Sequence, residues 1–220
     1  MNHYIDIHSH TYYPNDNTTV LLNVLPGEDD KFTHPCFFSA GVHPWYVNSS
    51  SIEKHLEWVE RQADNPQVLA IGEIGFDKTL DVPWEVQEYA FERQLALAEK
   101  LNKPVILHCV RAYNELIVYR NRANQKIPWI FHWFNASAEI ARELIRKNCY
   151  LSFGHLLFYE TSKAFGVFPE IPAGSVFLET DDTSFTIMEI SDRAAFLKGL
   201  PLNNLMRQIH DNFNTCFGIL

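Results

Sequence analysis

Tyr4-Ile5-Asp6-Ile7-His8-Ser9-His10 is a short apolar run that ends in two imidazoles. Residues at i and i+2 of an extended strand point to the same side, so His8 and His10 leave this run together. The arrangement recurs downstream. Val68-Leu69-Ala70-Ile71-Gly72-Glu73, Val105-Ile106-Leu107-His108, Trp129-Ile130-Phe131-His132 and Val176-Phe177-Leu178-Glu179-Thr180-Asp181 all end in a residue type that binds divalent metals. Strands that share a direction deliver their C-terminal tips to one place, as in a parallel α/β barrel. The five runs therefore predict a fold and a metal site together.

Between these runs the chain alternates. Helical patterns are expected over Ser51 to about Ala63, Trp84 to Lys100, Tyr113–Asn121 and Ala138–Lys147, with a C-terminal helical segment ending near Phe217. Strands are expected at Val68–Glu73, Val105–His108, Trp129–His132, Tyr150–Phe153 and Val176–Glu179. Continuous apolar strands separated by amphipathic helices indicate βα units around a parallel sheet. The first fifty residues differ: only Val20–Val24 and Phe37–Val42 read as strands after His10, and the polar loops leave no room for a crossover helix. The expectation is an α/β fold, an irregular TIM-type (β/α) barrel of seven or eight strands with shortened early units, filling residues 1–220 as one domain.

The chain has 220 residues, 46% of them hydrophobic, which is ample for a buried core and argues against disorder. No apolar run approaches membrane-span length, no signal-peptide pattern opens the sequence, and the four cysteines form no CxxC pair. A cytoplasmic protein with reduced thiols and no membrane association is expected. A net charge of −9 works against a broad electrostatic clamp on nucleic acid. The local basic clusters, Arg111, Arg120, Arg122 and Lys126, then Arg142, Arg146 and Lys147, read as solvated helix faces. A phosphodiester substrate would have to be attracted largely by bound cations.

The run ends supply His8, His10, Glu73, His108, His132 and Asp181, with no cysteine. Imidazole and carboxylate together suit zinc, manganese or magnesium and disfavour a structural thiolate zinc. Six donors exceed what one catalytic ion uses while keeping positions open for water and substrate. Two divalent ions sharing a carboxylate, roughly 3.5–4 Å apart, fit better and can serve hydrolysis of an ester.

In order along the chain, the motifs are Asp6-Ile-His8-Ser-His10, Gly41-Val-His43-Pro44-Trp45, Ile71-Gly-Glu73-Ile-Gly75-Phe-Asp77, Pro104-Val-Ile-Leu-His108, His132-Trp-Phe and Leu178-Glu-Thr-Asp181. Gln87, Phe91 and Gln94-Leu95 lie between the Glu73 and His108 motifs, and Asn214 and Phe217 near the end. This succession resembles the TatD family of metal-dependent deoxyribonucleases, within the amidohydrolase-like barrels. The resemblance implies phosphodiester hydrolysis at two divalent ions, with DNA as transient substrate. It implies that His8, His10 and Asp181 hold one ion, that His108 and His132 hold the other, and that Glu73 bridges them. It further implies that Asp181 orients or deprotonates the attacking water. The family usually carries an Arg two residues after the third-motif His; here Val110 stands there and Arg111 follows. The segments after His10 and after Asp181 are also short for the family.

Outside the six ligands, Asp6 is read either as an acceptor for a ligand imidazole or as a buried acid bonded to backbone. His43 and Arg111 are candidates for substrate contact, and Asp77 for supporting a ligand or for an ordinary turn. His155, at another strand end, is a candidate for substrate contact or a surface histidine. Trp45, Trp133 and Phe134 are placed either to stack on bases or to pack. The alternatives in function are a hydrolase of the same barrel class acting on another ester, a phosphate monoester or an amide, including aminoacyl-tRNA, and a non-catalytic scaffold with a vestigial site.

Overall fold

The computed structural model describes residues 3–15, 17–123 and 126–218. The apolar runs are strands: β1 (Tyr4–Ser9), β2 (Thr18–Val24), β3 (Phe37–Ala40), β4 (Val68–Asp77), β5 (Val105–Val110), β6 (Trp129–Phe131), β7 (Cys149–Phe153) and β8 (Val176–Leu178). They follow one another in chain order in one eight-stranded sheet. Ser9 at the end of β1 bridges Asp181 just past β8, so the last strand lies beside the first, in the order of a TIM-type barrel. The intervening helices are α1 (Ile52–Gln62), α2 (Trp84–Leu101), α3 (Tyr113–Arg122), α4 (Ala138–Arg146), α5 (Lys163–Val167), α6 (Ile187–Lys198) and α7 (Leu202–Phe217). The early units are trimmed as expected: among the described residues no α-helix precedes Ile52, and a 3-10 turn at Asp29–Thr33 stands between β2 and β3.

Three elements differ from the sequence reading. Strand β4 continues past Glu73 to Asp77. Gly75 permits this: its φ is +143°, and a Cβ there would lie 2.0 Å from the His108 carbonyl oxygen. The C-terminal helical segment is two helices, because Gly199 takes a left-handed cap at φ +61° and Pro201 follows. The short α5 between β7 and β8 carried no clear period.

The chain divides into two compact units, residues 1–22 with 132–220, and residues 23–131. In the first, β1, β7 and β8 bury Ile7, Leu151, Phe153, Phe177 and Leu178. Asn212 of α7 donates to the carbonyls of Ala173 and Val176, both at 2.8 Å, and so fixes the start of β8. In the second, β3 to β6 pack with α1 to α3, and Phe76 stacks on Trp84 at 4.5 Å and meets Phe91 at 4.7 Å. Arg120 corrects the reading of its cluster as a solvated face. It is buried, with Nη1 donating to the Ile127 carbonyl at 3.1 Å and its guanidinium 5.3 Å over the Trp129 ring. A carbonyl partner and an aromatic plane are what allow that charge inside. Among the described residues no helix is long and apolar enough to cross a membrane.

Candidate metal centre

In the first unit the parallel bridge between Ser9 and Asp181 sets the geometry. The His10 N–H donates to the Asp181 carbonyl at 3.1 Å, and the Asp181 N–H donates to the His8 carbonyl at 2.9 Å. These two bonds align three potential ligands. Asp181 Oδ1 lies 3.3 Å from His10 Nε2 and 3.8 Å from His8 Nε2. One donor atom from each residue falls within 4.8 Å of the others, a spacing that a single ion can satisfy. Asp181 has φ 55°, a left-handed conformation that aspartate tolerates better than most residues.

Asp6 supports this seam and not an imidazole. Its carboxylate accepts the Thr180 N–H at 3.0 Å and the Thr180 hydroxyl at 2.6 Å, which ties β1 to the residue before Asp181. Burial pushes the Asp6 carboxyl up to about 7, against the opposing Thr180 bonds. The ring of His132 lies 4.5 Å from that of His8, and its Nδ1 is 3.7 Å from Glu179 Oε1. Glu179 is fully buried, and Oε1 also accepts the Trp133 N–H at 2.5 Å. The sequence reading passed over Glu179, although a carboxylate inside a continuous buried run, two residues before a ligand, is the signal that would have found it.

In the second unit, Glu73, Asp77, His43 and His108 come together, all of them buried. His108 Nδ1 lies 2.8 Å from Glu73 Oε1, and His108 Nε2 lies 3.1 Å from Asp77 Oδ2. Asp77 only accepts, so the proton of neutral His108 sits on Nε2 and Nδ1 presents a lone pair to Glu73. Two acceptors at 2.8 Å require a proton or a cation between them. A carboxylate holding the far N–H of a ligand histidine is the support that metal sites use.

His43 has the opposite polarity. The Trp45 N–H donates to its Nδ1 at 3.0 Å, so neutral His43 carries its proton on Nε2. That N–H faces Glu73 Oε1 at 3.1 Å and His108 Nδ1 at 3.0 Å. By spacing, His43 joins Glu73 and His108 in a possible ligand set; by tautomer it is a hydrogen-bond donor to that set. Asp77 is further held by Trp45 Nε1–H at 3.1 Å and by Thr79. Burial pushes its carboxyl up, but the bonds from Thr79, His108 and Trp45 outweigh that and hold it at about 2.

The backbone under these groups is pinned from α2. Gln94 accepts the Val42 N–H at 2.7 Å and donates to the Val42 carbonyl at 3.3 Å, one residue before His43. Gln87, on the same helix face, does the same for Asp77 at 2.9 and 3.1 Å. From β2, Asn23 Oδ1 accepts the Glu73 N–H at 3.0 Å. Imidazole and carboxylate donors without thiolate, held from behind by acceptors, fit a hard or borderline divalent ion in either unit.

The remaining candidates lie elsewhere. Arg111 is exposed, one residue past β5, in a left-handed conformation with φ 56°. His155 is half-buried among aromatic rings, between Trp133 and Phe185.

Residues 28–218 match the family model described as TatD related DNase. That stretch begins after β1, so His8 and His10 stand on the seam geometry and not on the match. The chain is 36% identical over 149 residues to an uncharacterized metal-dependent hydrolase, YabD, of Bacillus subtilis, covering 66% of this chain and 58% of that protein. It is 30% identical over 181 residues to the 3'-5' ssDNA/RNA exonuclease TatD of Cronobacter turicensis, covering 79% of this chain and 68% of that one. The chain thus spans less than two thirds of the length of the Bacillus relative. The crystal structure of YJJV, a TatD homolog from Escherichia coli, superposes with a TM-score of 0.85 at 22% identity, covering 99% of this chain and 98% of that one. At that identity the likeness speaks for the fold.

Proposed function

The chain belongs to the TatD-related DNase family, and from that membership we propose that it is a metal-dependent hydrolase cleaving phosphodiester bonds in single-stranded nucleic acid, DNA foremost. The observation that carries the proposal is the buried pair of metal-binding side chains His108 and Glu73, Nδ1 to Oε1 at 2.8 Å, with Asp77 behind the imidazole. We assign one divalent ion to His8, His10 and Asp181, and a second to Glu73 and His108, with zinc, manganese or magnesium as the candidates. Bound there, the ions supply water activation and charge neutralisation at the leaving oxygen. Asp181 turns Oδ1 toward the two imidazoles, and its other oxygen takes the proton of the attacking water. His43 donates Nε2–H to Glu73 and aims that carboxylate. The four cysteines stand outside any disulfide, which supports a reducing, cytoplasmic location.

The test is an assay of metal-reconstituted protein on 3′- and 5′-labelled single- and double-stranded DNA, beside Glu73→Ala and Asp181→Asn. Cleavage of single strands by wild type, lost in both variants with their circular dichroism unchanged, is expected. Equal residual cleavage in all three means a contaminant or a wrong site. Turnover of a phosphate monoester or an amide with none on oligonucleotides overturns the substrate class.

A further inference from the structure

Trp133 directly follows His132, and its backbone sits in the left-handed region at φ 45°. A bulky residue pays free energy for that conformation, which persists only where its surroundings impose it. The imposing group is Glu179, whose buried carboxylate holds the Trp133 N–H. The result is an indole that is 40% exposed, four residues after Trp129, which is fully buried. Further rings lie beside it. His155 lies 5.9 Å from Trp133 with 36° between planes, Phe185 is parallel to His155 within 11°, and Phe158 stacks on Phe185 at 4.4 Å. Tyr159, half exposed, stands edge-on to His155 at 5.9 Å. Glu179 also sets this second position: a Cβ on Gly154, the residue before His155, would lie 3.0 Å from its carbonyl oxygen. The platform adjoins the metal donors, since the ring of His132 rests 4.5 Å from that of His8.

We propose that Trp133 and His155 form a stacking subsite for one unpaired nucleobase of the strand being cleaved. The proposal deepens the nucleic-acid reading above and rests on it. Every base offers a π-face, whereas bases inside a duplex are already stacked, so an exposed ring beside a phosphate-cleaving centre selects unpaired ends. The charge balance leads to the same occupant. With a net charge of −9 the chain has little general attraction for a polyanion, and the share of affinity not supplied by metal and phosphate must come from the base.

The experiment is a cycle between ring and base. A labelled oligothymidylate is compared with versions carrying an abasic unit at each of the last few positions in turn. Affinity is read as KM in cleavage, and as Kd by fluorescence anisotropy where cleavage is absent. In wild type, one abasic position is expected to weaken binding by about tenfold, the order of a single base–aromatic stack. Trp133→Ala and His155→Ala are expected to weaken the intact oligonucleotide similarly and to show no further loss at that position, while Trp133→Phe recovers most of the affinity. Losses that multiply independently, or variants that bind as wild type does, overturn the subsite while leaving the nuclease reading standing. Wild type that neither cleaves nor binds any oligonucleotide overturns both.

Discussion

His43 and His108 lie 3.0 Å apart, and the groups on their far nitrogens give them opposite roles. A backbone N–H on His43 Nδ1 makes Nε2 a donor, whereas a carboxylate on His108 Nε2 makes Nδ1 a lone pair. Spacing alone counts both as ligands; the tautomers keep one. At saturating metal, His43→Ala should therefore retain the wild-type metal content per chain, measured by inductively coupled plasma mass spectrometry, and lose about 10–100-fold in kcat, as outer partners of metal sites do. His108→Ala should lose metal. A His43→Ala protein that drops one equivalent of metal would make His43 a ligand and remove the tautomer argument.

At the scale of elements, the polar side of α2 does more for the site than its sequence signals. Gln87 and Gln94 are seven residues apart and buried, each closing a two-way bond with one backbone unit, at Asp77 and Val42. Replacing Gln94 with Leu leaves the Val42 N–H buried without its acceptor, a cost of about 1–3 kcal/mol. Urea denaturation should show that loss at unchanged m-value, and a midpoint equal to wild type would mean the bond contributes nothing. This is also where sequence reading ran out. The strand tips were legible because a continuous apolar run ending in His, Glu or Asp is unusual and recurs five times. The bonding of Gln94 and the burial of Arg120 were not, because a polar residue on a periodic pattern reads as solvent-facing, and only tertiary structure reveals the carbonyl, amide or ring that satisfies it inside. Glu73 was legible as a strand end, yet β4 ran on to Asp77, since nothing in the sequence shows that Gly75 lies against the His108 carbonyl. The early units were legible in outline for a simpler reason: a loop too short for a crossover helix cannot contain one.

At the scale of the molecule, the donors of the first unit come from the two ends of the sheet order, β1 and the residue after β8. His8 and His10 on one side and Asp181 on the other already share two backbone hydrogen bonds and the Asp6–Thr180 bonds. An ion on these three side chains adds a further tie between the first strand and the last, present in the folded chain and absent from the unfolded one, where residues 10 and 181 have no reason to meet. Its binding energy is then folding energy. At about a hundredfold excess of free metal over Kd the gain is roughly 2.7 kcal/mol. For a chain of this length each kcal/mol is worth about 2–4 °C. Chelation should lower the Tm of wild type by about 5–10 °C in differential scanning calorimetry, and added metal should restore it. The same chelator should move Tm much less in an Asp181→Asn variant, which begins with that tie weakened. A Tm indifferent to chelation in wild type, with metal removal verified, would mean that the backbone bonds and Asp6 close the seam unaided and that the ion serves chemistry alone.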